Sequence, residues 1–219
     1  MISAVVLAAA ARLALDPALA GIEPLAVEGA NPRRWERPLA FGPWKAVAVD
    51  EPGTSGFAAQ ALHLGGGTAT TPYRFRVEGR DGALDVECFA KDTKAWFKGI
   101  QVDVRQPRNR PALACAYRAA DGEVTTFRMT TEGNGRFEGK VESTATIEVR
   151  SQHRLEGSRI PMGDPAGYVL LRDGTAIGAV ETINRGRVWL REGSSIEAAT
   201  AAALLLFVPP DAGEMEIER

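Results

Sequence analysis

Residues 198–208 read AATAAALLLFV, and Thr200 is the only polar residue among them. Ser194 and Ser195 precede the run as N-cap candidates, and Glu197 stands near the positive end of the helix they would start. Pro209 and Pro210 stop that helix. At 1.5 Å per residue the run reaches about 16 Å, too short to cross a bilayer. A helix that is apolar all round has to be buried all round. Whatever the rest of the chain forms, it must supply a wall on every side of this helix.

The chain ahead of it reads as strands. Tyr73, Phe75 and Val77 alternate with Arg74 and Arg76, and Ile100-Gln101-Val102-Asp103-Val104-Arg105 repeats the scheme. Ala145, Ile147 and Val149 likewise oppose Thr146, Glu148 and Arg150. One apolar face and one wet face is the pattern of antiparallel sheets. Turn pairs such as Asp81-Gly82, Asp121-Gly122 and Asp173-Gly174 punctuate the strands. The alternation predicts about 10–12 strands in meandering hairpins. The fold expected is mainly β: an antiparallel closed β-barrel around the C-terminal apolar helix.

This order of elements resembles the tubby C-terminal domain and its relatives, the phospholipid scramblases and the LURP-one-related proteins. Residues 167–190, two hairpins leading into the helix, carry the closest likeness, and it extends over about residues 41–208. The resemblance is one of architecture. It implies a barrel threaded by its own helix, and among tubby proteins a phosphoinositide-binding role through basic residues. None of those residues has a matched position in this sequence.

The N-terminus narrows the compartment. Residues 1–20 carry an apolar run from Ile2 to Ala11, then Arg12, Asp16-Pro17 and the small-residue pattern Ala18-Leu19-Ala20 before Gly21. That pattern is signal-like and predicts export to the periplasm or cell envelope. Leu19-Ala20-Gly21 also resembles the box that precedes the lipidated cysteine of bacterial lipoproteins, but Ile22 stands where the cysteine would be. Residues 21–40 read as a linker or N-terminal arm, with Trp35 as an anchor. The barrel is expected from Phe41, the helix at about 195–208, and an acidic tail at 209–219.

The two cysteines, Cys88 and Cys115, each fall on the apolar face of a strand, beside Leu84 and Val86 and beside Leu113 and Tyr117. Export would permit a disulfide between them; a reducing compartment would leave two buried thiols. His63 and His153 form no close ligand pair with each other or with the cysteines, so no metal and no cofactor is expected. The net charge of −2 creates no field for nucleic acid.

Candidate binding residues form two groups. Lys91, Lys94, Trp96, Lys98 and Arg105 interleave basic and aromatic side chains suited to lipid headgroups. Arg187, Trp189 and Arg191 share one strand face, as an arginine–tryptophan surface or as a structural cation–π pair. Glu181 lies in an apolar strand as a candidate buried acid. No catalytic residues are expected, because Ser151 and Ser158 flank His153 in sequence without a nucleophile elbow. The reading is a non-enzymatic scaffold or binding protein of the envelope, its partner a lipid headgroup or an envelope protein. A cytosolic lipid-headgroup binder is the alternative, and a hydrolase with an unrecognised site is a third.

Overall fold

The computed structural model describes residues 12–29, 38–48, 72–80, 82–90, 94–97, 100–103, 113–131, 136–142 and 145–207. Its strands are β1 (Leu25–Glu28), β2 (Leu39–Phe41), β3 (Trp44–Ala48), β4 (Pro72–Gly79), β5 (Gly82–Ala90), β6 (Lys94–Phe97) and β7 (Ile100–Asp103). They continue as β8 (Leu113–Ala119), β9 (Val124–Thr131), β10 (Phe137–Glu142), β11 (Ile147–Gln152), β12 (Gly167–Arg172), β13 (Thr175–Glu181) and β14 (Arg187–Leu190). One α-helix follows, α1 (Ile196–Phe207).

Twelve of these strands close into an antiparallel barrel, in the order β1-β14-β13-β12-β11-β10-β9-β8-β5-β4-β3-β2. Chain neighbours pair throughout, except where β5 passes directly to β8 and where β1 closes the ring on β14. Among the described residues, the skipped strands, β6 and β7, pair only with each other. The alternation in Ile100–Asp103 therefore marks a strand of a separate hairpin rather than a stave of the barrel. A period of two reports a strand but not its partner.

The expected alternation is realised in the wall. Phe75 and Val77 of β4 are buried while Arg76 is exposed, and Ile147 and Val149 of β11 are buried while Arg150 is exposed. Tight turns close the hairpins. Asp173 and Gly174 both take positive φ, 50° and 74°, which matches the right-handed twist of the strands they join.

The helix occupies the lumen. Residues Ala198 to Leu206 are all buried, and they share one apolar cluster with the inward side chains of the strands. The helix touches β13 and β14 on one side and β4 and β5 on the far side of the ring. Ser195 stands at its N-cap position, where Arg172 Nη2 donates to its Oγ at 3.4 Å. Among the described residues, no helix is long and apolar enough to cross a membrane.

The barrel begins earlier than Phe41. Residues 25–28, expected in an arm, form β1, which joins β14 to β2 and closes the ring. Ahead of β1, residues 12–22 form a strap across the outside of the wall. Arg12 and Ala14 exchange backbone hydrogen bonds with Glu156 and Arg154 at 2.8 and 2.9 Å. Asp16 caps a 3-10 turn at Pro17–Leu19, accepting the Ala18 N–H at 2.8 Å. Leu13 and Leu19 are buried against the outward faces of Leu171, Ala176, Ala179 and Trp189, in a cluster separate from the lumen. Gly167 lets the strap lie close, since a side chain there would collide with the Val180 carbonyl and with Leu13.

Candidate functional site at the barrel rim

β10 and β11 run antiparallel with Glu138 opposite Arg150 and Val141 opposite Ile147. At the open end of this ladder the parity that buries Ile147 and Val149 brings Ser151, then His153, to the rim of the barrel. Beyond β11 the chain makes a loop, residues 153–166, and returns as β12. The loop is fastened at its base, where the Ala166 N–H donates to the Gln152 carbonyl at 2.9 Å. His153 and Met162 hold each other across it. The Met162 N–H donates to the His153 carbonyl at 2.8 Å, and the His153 ring nitrogen Nδ1 lies 3.1 Å from the Met162 carbonyl oxygen.

This loop and the ends of β10 and β11 enclose a cavity of about 490 Å³. Its lining includes Arg136, Arg150 and Arg154, together with Glu138, Ser151 and His153. Arg150 is paired with Glu148 at 2.7 Å. Among the described residues, no carboxylate forms an ion pair with Arg136 or Arg154. With Arg150 balanced by Glu148, Arg136 and Arg154 against the lining carboxylate Glu138 still give the cavity a positive balance, with planar donors suited to carboxylate or phosphate.

Ser151 and His153 are neighbours in space as well as in sequence, which corrects the expectation that they flank each other in sequence only. Ser151 Oγ lies 3.1 Å from His153 Nε2. The Phe137 N–H donates to the same Oγ at 3.0 Å. A carbonyl oxygen can only accept, so His153 Nδ1 carries the proton shared with Met162. In the neutral ring, Nε2 is then the acceptor for the Ser151 hydroxyl. The i, i+2 spacing at the end of β11 sets the two side chains on one side of the chain, and the partner that sets the tautomer is supplied by the loop. Ser158 is turned elsewhere, its Oγ donating to the Ile160 carbonyl at 2.9 Å.

The residues anticipated as binding groups fall elsewhere. Lys91, Lys98 and Arg105 lie outside the described residues. Lys94 and Trp96 belong to β6, where only the backbone is described. Arg187, Trp189 and Arg191 do not form an open surface. Trp189 is 4% exposed and lies under the strap, and Arg191 Nη2 donates to the Ala18 carbonyl at 2.7 Å. Arg187 Nε sits 3.1 Å from Glu181 Oε1. Glu181 is fully buried, and its other oxygen accepts the Leu13 N–H at 2.8 Å. The acid, the two arginines and the tryptophan fasten the strap.

Cys88 and Cys115 stand directly opposite each other on β5 and β8, inside the barrel, and are joined by a disulfide. Among the described residues, no group of His, Cys, Asp or Glu could hold a metal ion. No protein-family model, curated protein or solved structure matches the chain.

Proposed function

We propose that the chain is an exported bacterial envelope protein that binds anionic ligands in the rim cavity. The convergence of Arg136, Arg150 and Arg154 on one hollow carries this reading. The lumen is occupied by α1. A ligand would therefore meet the outer wall and the 153–166 loop. Its recognition would rest on charge and on guanidinium geometry rather than on apolar area.

The disulfide supports export, because such bonds persist in oxidising compartments. The strap bears on where a leader would be cut. Cleavage after Ala20 would remove Leu13 and Leu19 from their buried seats and strip Glu181 of one partner. Retention of the strap requires that any processing occur ahead of it, leaving Arg12 to Leu19 in the mature protein. The likeness to tubby-type barrels stays architectural and contributes no ligand residue to this reading.

Two measurements test the proposal. Titration with inorganic phosphate and with citrate should raise the unfolding temperature of the native chain. Arg136→Glu combined with Arg154→Glu should abolish the rise while leaving the ligand-free unfolding temperature close to the parent's. A rise of equal size in the double variant would move the site elsewhere. For export, the mass of the protein recovered from its native host should correspond to a processed chain that retains Arg12 to Leu19. A start at Gly21 would defeat the retained strap, and an intact Met1 would defeat export.

A further inference from the structure

We propose that Ser151 is a nucleophile activated by His153, and that the rim cavity hydrolyses carboxylic esters bearing a negative charge. The inference rests on the cavity being the ligand site and adds a reaction to it.

Three components of nucleophilic catalysis are present in order. The Ser151 hydroxyl is within hydrogen-bond reach of a basic nitrogen, His153 Nε2, at 3.1 Å. The imidazole is oriented by a third group, the Met162 carbonyl, 3.1 Å from Nδ1. That carbonyl fixes the proton on Nδ1, the role an aspartate plays in the familiar triads. It carries no full negative charge, so it fixes the tautomer more than it stabilises the imidazolium. Met162 is itself held by its N–H on the His153 carbonyl, so the orienting group does not swing freely. The Phe137 N–H, 3.0 Å from Ser151 Oγ, occupies one lone pair and turns the hydroxyl proton toward the imidazole.

The same cavity carries the means of selection. Arg136, Arg150 and Arg154 line it with Ser151 and His153. A substrate with a carboxylate would be held by a guanidinium while its ester carbonyl is presented to Oγ. A neutral ester would lack that grip.

The reaction balances without a further reactant but water. Ser151 Oγ attacks the ester carbonyl carbon, and its proton passes to His153 Nε2. The tetrahedral adduct collapses as the carbon–oxygen bond to the alcohol breaks, and the alkoxide leaves with the proton from Nε2. Water then attacks the acyl-serine with its proton taken by Nε2. Collapse returns that proton to Oγ and releases the carboxylic acid.

The test uses the full chain with a fluorophosphonate probe and with two chromogenic esters, 4-nitrophenyl hemisuccinate and 4-nitrophenyl acetate. The probe should form an Oγ–phosphorus bond at Ser151 with loss of fluoride, located by peptide mass. Ser151→Ala should abolish the adduct. His153→Ala should slow its formation about 100-fold or more, the scale of a lost general base. The hemisuccinate should turn over at least several-fold faster than the acetate, and the preference should vanish in Arg136→Glu with Arg154→Glu. Circular dichroism and thermal unfolding of each variant must match the parent. Phosphate should still stabilise Ser151→Ala, which separates failure of the chemistry from failure of binding. A folded parent that forms no adduct, or an adduct that persists in Ser151→Ala, overturns the proposal.

Discussion

The backbone N–H of Leu13 donates to the buried carboxylate of Glu181 at 2.8 Å, across 168 residues of chain. The other oxygen of that carboxylate faces Arg187 at 3.1 Å. A fully buried acid thus accepts a hydrogen bond from the strap on one oxygen, while the other is charge-paired with a cation on its own sheet without a hydrogen bond. The Leu13 amide thereby links the strap to the barrel beside the apolar contacts of Leu13 and Leu19.

A chain beginning at Gly21 should therefore be less stable than one beginning at Arg12. Leu13 and Leu19 together bury side chains worth about 1.5–3 kcal/mol each. Urea unfolding should show the loss directly. The shorter chain should also bind a hydrophobic dye, since the outer faces of Trp189, Leu171 and Ala179 lose their cover.

Glu181→Ala should cost about 3 kcal/mol, because it leaves the half-buried Arg187 and the Leu13 amide without their partner. Glu181→Gln keeps an acceptor for the amide but loses the charge. Its unfolding free energy should fall between that of the parent and that of the alanine variant.

The helix offers a paired comparison. Leu205 is wholly buried in the lumen, and an aspartate there would bring an unpaired charge into the barrel. Leu205→Asp should fail to fold, seen as loss of the sheet signal in circular dichroism. Thr200 lies in the same helix, with a buried hydroxyl that has no hydrogen-bond partner. Thr200→Val should be neutral or stabilising by about 1 kcal/mol.

Reduction of Cys88–Cys115, or the double change to alanine, should lower stability by about 3–4 kcal/mol in the chain-entropy account of a loop this long. Urea midpoints measured with and without reductant give the difference. The alanine variant should lose somewhat more, because two sulfur atoms also leave the core.

Tyr117 predicts an alkaline limit. Burial, and secondly the nearby Glu197 charge, hold its phenol well above the ordinary value of 10.0. Below about pH 10 the folded and unfolded phenols are both neutral and the residue contributes no slope. Above it the unfolded phenol ionises while the folded one keeps its proton. Stability should then fall as pH rises toward the folded value. Tyr117→Phe should remove that part of the slope and cost little at neutral pH, since the buried hydroxyl has no hydrogen-bond partner.

The rim cavity was poorly legible in the sequence for a physical reason. Arg136 and Arg150 line one cavity because β10 and β11 pair with Glu138 opposite Arg150, and a register is a property of two strands rather than one. His153 acquires its tautomer from Met162, nine residues on, through a loop with no regular period. The strap was obscured differently. Leu13 and Leu19 lie in a signal-like pattern, and nothing local distinguishes an apolar residue bound for a leader from one that docks on a distant sheet. Strand β1 was hidden because four residues between proline-bearing segments carry too little alternation to register.

What the sequence determined by itself was the class of solution. An all-round apolar helix too short for a bilayer demands a complete enclosure, and a chain of alternating strands can provide one only by closing into a barrel. Both signals are local, set by side-chain periodicity and by proline and glycine. The tertiary structure decided where the outside of that barrel is covered and where it is open. Those outcomes depend on strand register and on contacts such as Leu13 with Glu181 and Ser151 with His153, Phe137 and Met162. They are set by which distant groups can satisfy one another, and no single segment holds both halves of that information.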